Sequence, residues 1–139
     1  MSPIRVPVEE FTTPDPVTAT GDMSIDALRG LMDSHGIRHL PVLRDGVVVG
    51  LVSDRDVRLA MGLDDGRRQL LSAADIMAPE PLSVGASTPL DEVAYRMSTD
   101  KVGSVIVTDA GGGLVGIFTA TDALNALIEI IRDGGTPTA

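Results

Sequence analysis

Apolar and polar positions alternate along this chain in one order of patterns, and the order occurs twice. Ile25, Leu28, Leu31 and Met32 recur at three- and four-residue spacing, as do Leu90, Val93, Ala94 and Met97. That period predicts helices over 25–34 and 90–99. Two apolar runs follow each helix, at 40–43 and 47–52 and again at 104–108 and 114–118. Their length and bounding turn residues read as strands. Asp45-Gly46 joins the first pair, a hairpin signal, and Ala110-Gly111-Gly112-Gly113 turns the second. A second helix follows each hairpin, at 54–61 and 121–131, and an extended piece near Pro16 or Pro81 opens each copy. Gly36 is placed to stop the first helix in a left-handed conformation. Thr88, then Pro89 as first helical residue, then Asp91, marks a helix start. Polar residues 63–68 read as a linker or helix end, and residues 134–139 as a fraying tail.

The two copies align residue by residue. Pro16-Val17 and Pro81-Leu82 are 65 residues apart, and that offset also carries Leu28 onto Val93, Met32 onto Met97 and Val42 onto Val107. Past the glycine-rich turn the offset grows by one residue. Gly50-Leu51-Val52-Ser53 then meets Gly116-Ile117-Phe118-Thr119, and Asp56 meets Asp122. The expectation is an α+β fold made by internal duplication. A first repeat would span 1–66 with the N-terminal segment, and a second 67–139 with the last helix and tail. The two would be related by a pseudo-twofold axis.

Charge and composition narrow the partners. Eleven basic against twenty acidic residues give a net charge of −9. Phosphate-backbone binding needs clustered Lys and Arg, so nucleic acid and acidic membranes are poor partners. Only Phe11, Tyr95 and Phe118 are aromatic, too few to build a base-stacking platform. The absence of cysteine excludes disulfides, thiolate metal sites and a Cys nucleophile, and it agrees with a cytoplasmic location. The first ten residues do not form a signal peptide, and no apolar stretch is long enough to span a membrane.

The repeated chemistry is Ser53-x-x-Asp56 and Thr119-x-x-Asp122, each after a glycine and two apolar residues. A carboxylate here can accept bonds from both ribose hydroxyls, and a hydroxyl beside free N–H groups at a helix start can hold a phosphate. The same spacing is also an acidic relative of the capping box, which needs no ligand. Both readings are open, and both can hold together. Arg55 lies inside the first motif where the second has Thr121. Arg38 and His39 occupy the places of Gly103 and Ser104. If the first copy's basic groups contact phosphate, the two sites are unequal. His35 and His39 share a metal-ligand spacing, but Gly36 ends the helix between them, so no metal site is expected. Two histidines build no convincing triad, and no Walker-type run is present; catalytic residues are not expected. The last helix carries more apolar residues than one face needs: Leu124, Leu127, Ile128, Ile130 and Ile131. Self-association would cover the excess.

The order strand, helix, strand, strand, helix, with the Gly-apolar-apolar-Ser/Thr-x-x-Asp closure, resembles the CBS domain, as a stand-alone tandem pair. The stretch 35–42, then Asp45-Gly46, Gly50 to Ser53 and Arg55 to Val57, carries the likeness best. The resemblance implies a regulatory module that is not an enzyme and needs no cofactor. It would bind AMP, ADP, ATP or S-adenosylmethionine in a cleft between repeats. A homodimer and an unidentified effector protein are also implied. Each pocket would draw on both copies. Ser53 and Asp56 would face Met77, Leu82, Val102 and Gly103, while Thr119 and Asp122 would face Thr12, Val17, Ile37 and Arg38. The alternative is a ligand-free scaffold for dimerisation or protein docking.

Overall fold

The structure, a computed structural model, describes residues 5–133. After a 3-10 turn at Val8–Phe11 come β1 (Thr13–Pro14), β2 (Ala19–Thr20), α1 (Ile25–His35), β3 (His39–Arg44), β4 (Val47–Ser53) and α2 (Asp54–Met61). Short helices α3 (Asp65–Gln69) and α4 (Ala73–Ile76) lead to β5 (Ala78–Pro79). The second half adds β6 (Ser83–Gly85), α5 (Leu90–Asp100), β7 (Ser104–Thr108), β8 (Leu114–Thr119) and α6 (Ala120–Arg132).

The expected α+β fold is present, with both long helices and the hairpin of each copy. Gly36 takes the left-handed conformation at φ 63°, and its N–H bonds back to the Met32 carbonyl. Asp45 and Gly46 both have positive φ, 52° and 78°, the geometry a two-residue hairpin turn needs. Two expectations change. Pro89 is the residue before α5 rather than its first, with no side-chain cap bond. The polar segment 63–68 is not all linker: the Asp64 side chain accepts from the Arg67 N–H and starts α3. Arg68 then pairs with Asp65 within α3 at 2.8 Å and ties α3 to α1 through Asp26 at 3.2 Å. The tail at 134–139 lies outside the described residues.

The chain packs as two units. One is Pro16–Pro81; the other joins the segment ending at Asp15 to the segment starting at Leu82. Sequence repeat and packing unit are therefore different divisions of the chain. Each unit has a four-stranded sheet of the same design, β2-β3-β4-β5 in one and β6-β7-β8-β1 in the other. A parallel pair, β2 with β3 or β6 with β7, is followed by the antiparallel hairpin and a two-residue edge strand. The edge strands β1 and β5 stand 65 residues apart, so each sheet is finished by the stretch that opens the other repeat.

One face of each sheet is sealed by its two long helices. In Pro16–Pro81, Ile25, Leu28, Met32, Leu40, Val42, Val52 and Val57 form the core. In the other unit Val8, Val84, Val93, Met97, Val105, Val107 and Phe118 do. Burying a side chain of this size contributes about 1.5–3 kcal/mol. On α6, Leu124, Leu127, Ile128 and Ile131 are left exposed. Beside them a groove of about 390 Å³ runs along Leu90, Ala94, Leu124, Leu127 and Ile130. Among the described residues, no helix is long and apolar enough to cross a membrane.

Candidate functional site

In Pro16–Pro81, β4 delivers Ser53 to the start of α2, where four backbone N–H groups lack helical partners. The Ser53 hydroxyl accepts from the Asp56 N–H at 3.2 Å. The carboxylate returns the contact through one oxygen, Oδ2, which accepts from the Ser53 N–H at 3.0 Å and from its hydroxyl at 2.9 Å. This is a capping box. Asp56 Oδ1 has no hydrogen bond among the described residues, although Asp56 is half-buried. Half of the carboxylate is thus committed to the helix and half is free to accept.

The other unit repeats the box at α6. The Thr119 hydroxyl accepts from the Asp122 N–H at 3.2 Å, and Asp122 Oδ2 accepts from the Thr119 N–H at 2.9 Å and its hydroxyl at 3.1 Å. Here Oδ1 has a neighbour, the Thr13 hydroxyl at 3.5 Å, brought in by β1. Sequence reading missed Thr13. Its signal was the correspondence of Pro14 with Pro79, which marks β1 as the counterpart of β5.

A third such spacing, Ser72-x-x-Asp75, was also missed. It caps the four-residue α4 with bonds of 2.8 and 3.1 Å to Asp75 Oδ2. The motif alone therefore reports a helix start. What distinguishes the other two is their place after a hairpin, on helices of 8 and 13 residues.

The first motif has charged company that the second lacks. Arg38 offers its carbonyl to the Asp54 N–H at 2.7 Å, and His39 sits opposite Ser53 across the β3–β4 ladder. Burial lowers the His39 pKa from its ordinary value. The Arg38 charge adds to this, while Asp54 and Asp56 pull it back. Asp54 is held by Arg58 at 3.0 Å, whereas Arg38 and Arg55, both exposed, enter no ion pair among the described residues. In the other unit the matching places hold exposed Gly103, buried Ser104 and exposed Thr121. The Gly103 carbonyl accepts from Ala120 N–H at 2.9 Å, so the backbone is the same and the charge is absent.

The remaining expected residues divide by unit. Met77 lies with Ser53 and Asp56, its side chain against Gly50. Thr12 lies with Thr119 and Asp122, its hydroxyl donating to the Val8 carbonyl at 2.7 Å. Val17 and Ile37 pack on the core of Pro16–Pro81, and Leu82 and Val102 on the other core. Among the described residues no cluster of metal-binding side chains occurs; His35 is engaged on α1, its Nδ1 lying 3.0 Å from the Leu31 carbonyl.

The sequence model of the CBS domain matches twice, at residues 8–62 and 73–129, covering both motifs. The chain belongs to the CBS domain family. Among curated relatives, a CBS domain-containing protein of Dictyostelium discoideum is 28% identical over 139 residues, 93% of this chain and 96% of that one. An inosine-5'-monophosphate dehydrogenase of Korarchaeum cryptofilum is 34% identical over 114 residues; these are 82% of this chain but 23% of the enzyme. The chain therefore spans about a quarter of that relative. Solved structures of CBS pairs superpose closely. CBSX2 in complex with AMP shares 30% identity at a TM-score of 0.78, covering 91% of this chain and 98% of that one. The pair of protein MJ0100 with 5′-methylthioadenosine and S-adenosyl-L-methionine has 26% identity and a TM-score of 0.78, covering 91% and 98%. The CBS domain of a bacterial CNNM/CorC family Mg2+ transporter with ATP has 25% identity and a TM-score of 0.80, covering 88% and 87%. The tandem CBS pair is thus the fold of this chain, and CBS pairs like it bind small adenine-containing molecules.

Proposed function

We propose that this CBS pair is a non-catalytic regulatory module whose two Ser/Thr-x-x-Asp motifs hold an adenine nucleotide or an adenosyl compound. The observation that carries the reading is the divided carboxylate. In each motif Oδ2 serves the helix cap, and the other oxygen has no backbone partner. A ribose supplies two hydroxyl donors, the complement of such an oxygen. The AMP, ATP and S-adenosyl-L-methionine complexes of similar CBS pairs support the same ligand class. Binding regulates if the ligand favours one conformation of the module over another, which an effector protein then reads. The reading includes association with a second copy, for which the exposed residues of α6 supply apolar surface.

Asp56→Asn and Asp122→Asn test it. Each keeps an oxygen for the cap and replaces the second acceptor by an NH2 donor. Calorimetry with AMP, ADP, ATP and S-adenosylmethionine is expected to show binding to the parent chain, weakened at least tenfold by one or both substitutions. No heat with any ligand, or unchanged affinity in both variants, would leave the motifs as helix caps and favour a ligand-free dimerisation or docking scaffold.

A further inference from the structure

We infer that the two motifs select different ligands, and that Arg55 sets the difference. The Ser53–Asp56 motif takes an adenosine carrying a 5′-phosphate, and the Thr119–Asp122 motif takes one whose 5′ substituent is uncharged. The inference rests on the proposed adenosine binding and goes further by assigning a chemical class to each motif.

The two sites share their backbone. Both have the same capping box with matching distances, and both tie the first helical N–H to the residue before the ladder, Arg38 or Gly103. Differences in preference must then come from side chains. Arg55 stands two residues after the capping hydroxyl, exposed and in no ion pair among the described residues; Asp54, the carboxylate just before it in sequence, is already paired with Arg58. The Asp54 and Asp56 N–H groups are already taken by the Arg38 carbonyl and the Ser53 hydroxyl. The motif's means of meeting a phosphate is therefore the unpaired Arg55 guanidinium, which can make two parallel hydrogen bonds to it. Arg38, whose carbonyl accepts from the Asp54 N–H and whose charge acts on His39, adds a second positive group next to the motif. At Thr121 and Gly103 neither charge exists, and the motif's only charged group is Asp122 itself. A phosphate there meets an uncompensated carboxylate. A neutral 5′ group does not, and the Thr13 hydroxyl that donates to Asp122 brings no positive charge to offset a phosphate. The cation nearest Gly103 in sequence, Lys101, is the left-handed residue closing α5, where the other copy has Gly36.

The test compares AMP with adenosine by calorimetry on the full chain. Asp122→Asn leaves the Ser53–Asp56 motif as the reporter, and Asp56→Asn leaves the other. AMP is expected to bind the first reporter at least tenfold more tightly than adenosine, and the second no more tightly. Adding Arg55→Ala to the first should remove its preference, and adding Thr121→Arg to the second should create one. Both positions are exposed, so the fold tolerates either change. Equal AMP-to-adenosine ratios in the two reporters, or a preference in the second that Lys101→Ala removes, would overturn the assignment. If neither compound binds the parent chain, the proposed function itself has failed, a result distinct from equal ratios.

Discussion

Gly50 and Gly116 hold the same place in two sheets, yet the sheets reach the same closure with different materials. Each glycine lets an edge segment approach closely the second strand of the hairpin. At Gly50 the space a Cβ would need is filled by the Met77 thioether; at Gly116 it is filled by the Thr13 carbonyl and the Thr12 methyl. The cores differ in the same way. Val52 is fully buried in one unit, and its counterpart Phe118 is fully buried in the other. Duplication has kept the backbone, the caps and the strand order, while each copy has refilled its own interior and recharged its own motif. Equivalent substitutions are therefore expected to have unequal effects.

The largest inequality should come from the core. Phe118→Ala removes a ring from a site with no solvent exposure and is expected to cost about 3–5 kcal/mol. Val52→Ala removes two methyl groups, worth about 2 kcal/mol with the residual cavity. Urea unfolding read by circular dichroism gives both numbers. Equal losses would mean that the Phe118 surroundings collapse around the gap and that the two cores are energetically alike.

Next in size is the glycine pair. Gly116→Ala drives a methyl into the β1 backbone, which must separate from β8, at an expected cost of about 3 kcal/mol. Gly50→Ala meets the far end of a flexible methionine, whose unbranched chain can turn aside, and about 1 kcal/mol is expected. The same unfolding measurement decides. A Gly50 variant as damaged as the Gly116 variant would show that Met77 is locked in place.

The parts of this fold that were legible in the sequence are those written in local patterns. Helical spacing around Leu28 and Val93, the Asp45-Gly46 turn and the two hydroxyl–carboxylate spacings all need only neighbours along the chain. What was not legible depends on segments far apart. That β1 closes the sheet of the second repeat follows from pairing between Thr13 and Ile117, which two-residue strands containing proline do not advertise. The exchange of edge strands, and with it the Thr13 hydroxyl beside Asp122, was hidden for that reason. The α3 start at Asp64 was masked by a glycine in a charged run. At the motifs, spacing revealed the residues but not the division of labour between the two carboxylate oxygens, because a cap and a ligand site present the same letters.

The smallest expected effect separates His39 from Ser104, which face Ser53 and Thr119 across equivalent ladders. Burial, reinforced by Arg38 and opposed by Asp54 and Asp56, holds the folded His39 pKa below the ordinary value of 6.5. The unfolded chain therefore takes up this proton more readily than the folded one. The linked stability is complete above about pH 6.5 and is lost as the pH falls from there through the folded pKa. Ser104 does not titrate, so the other unit has no corresponding loss. Urea midpoints at about pH 7.5 and about pH 5.5 are expected to fall further for the parent chain than for His39→Gln, which keeps a polar side chain without the titration. Carboxylate protonation is common to both proteins and cancels in the comparison. If the two midpoints drop by the same amount, His39 is no more buried in solution than an exposed histidine, and the charge difference between the motifs rests on the arginines alone.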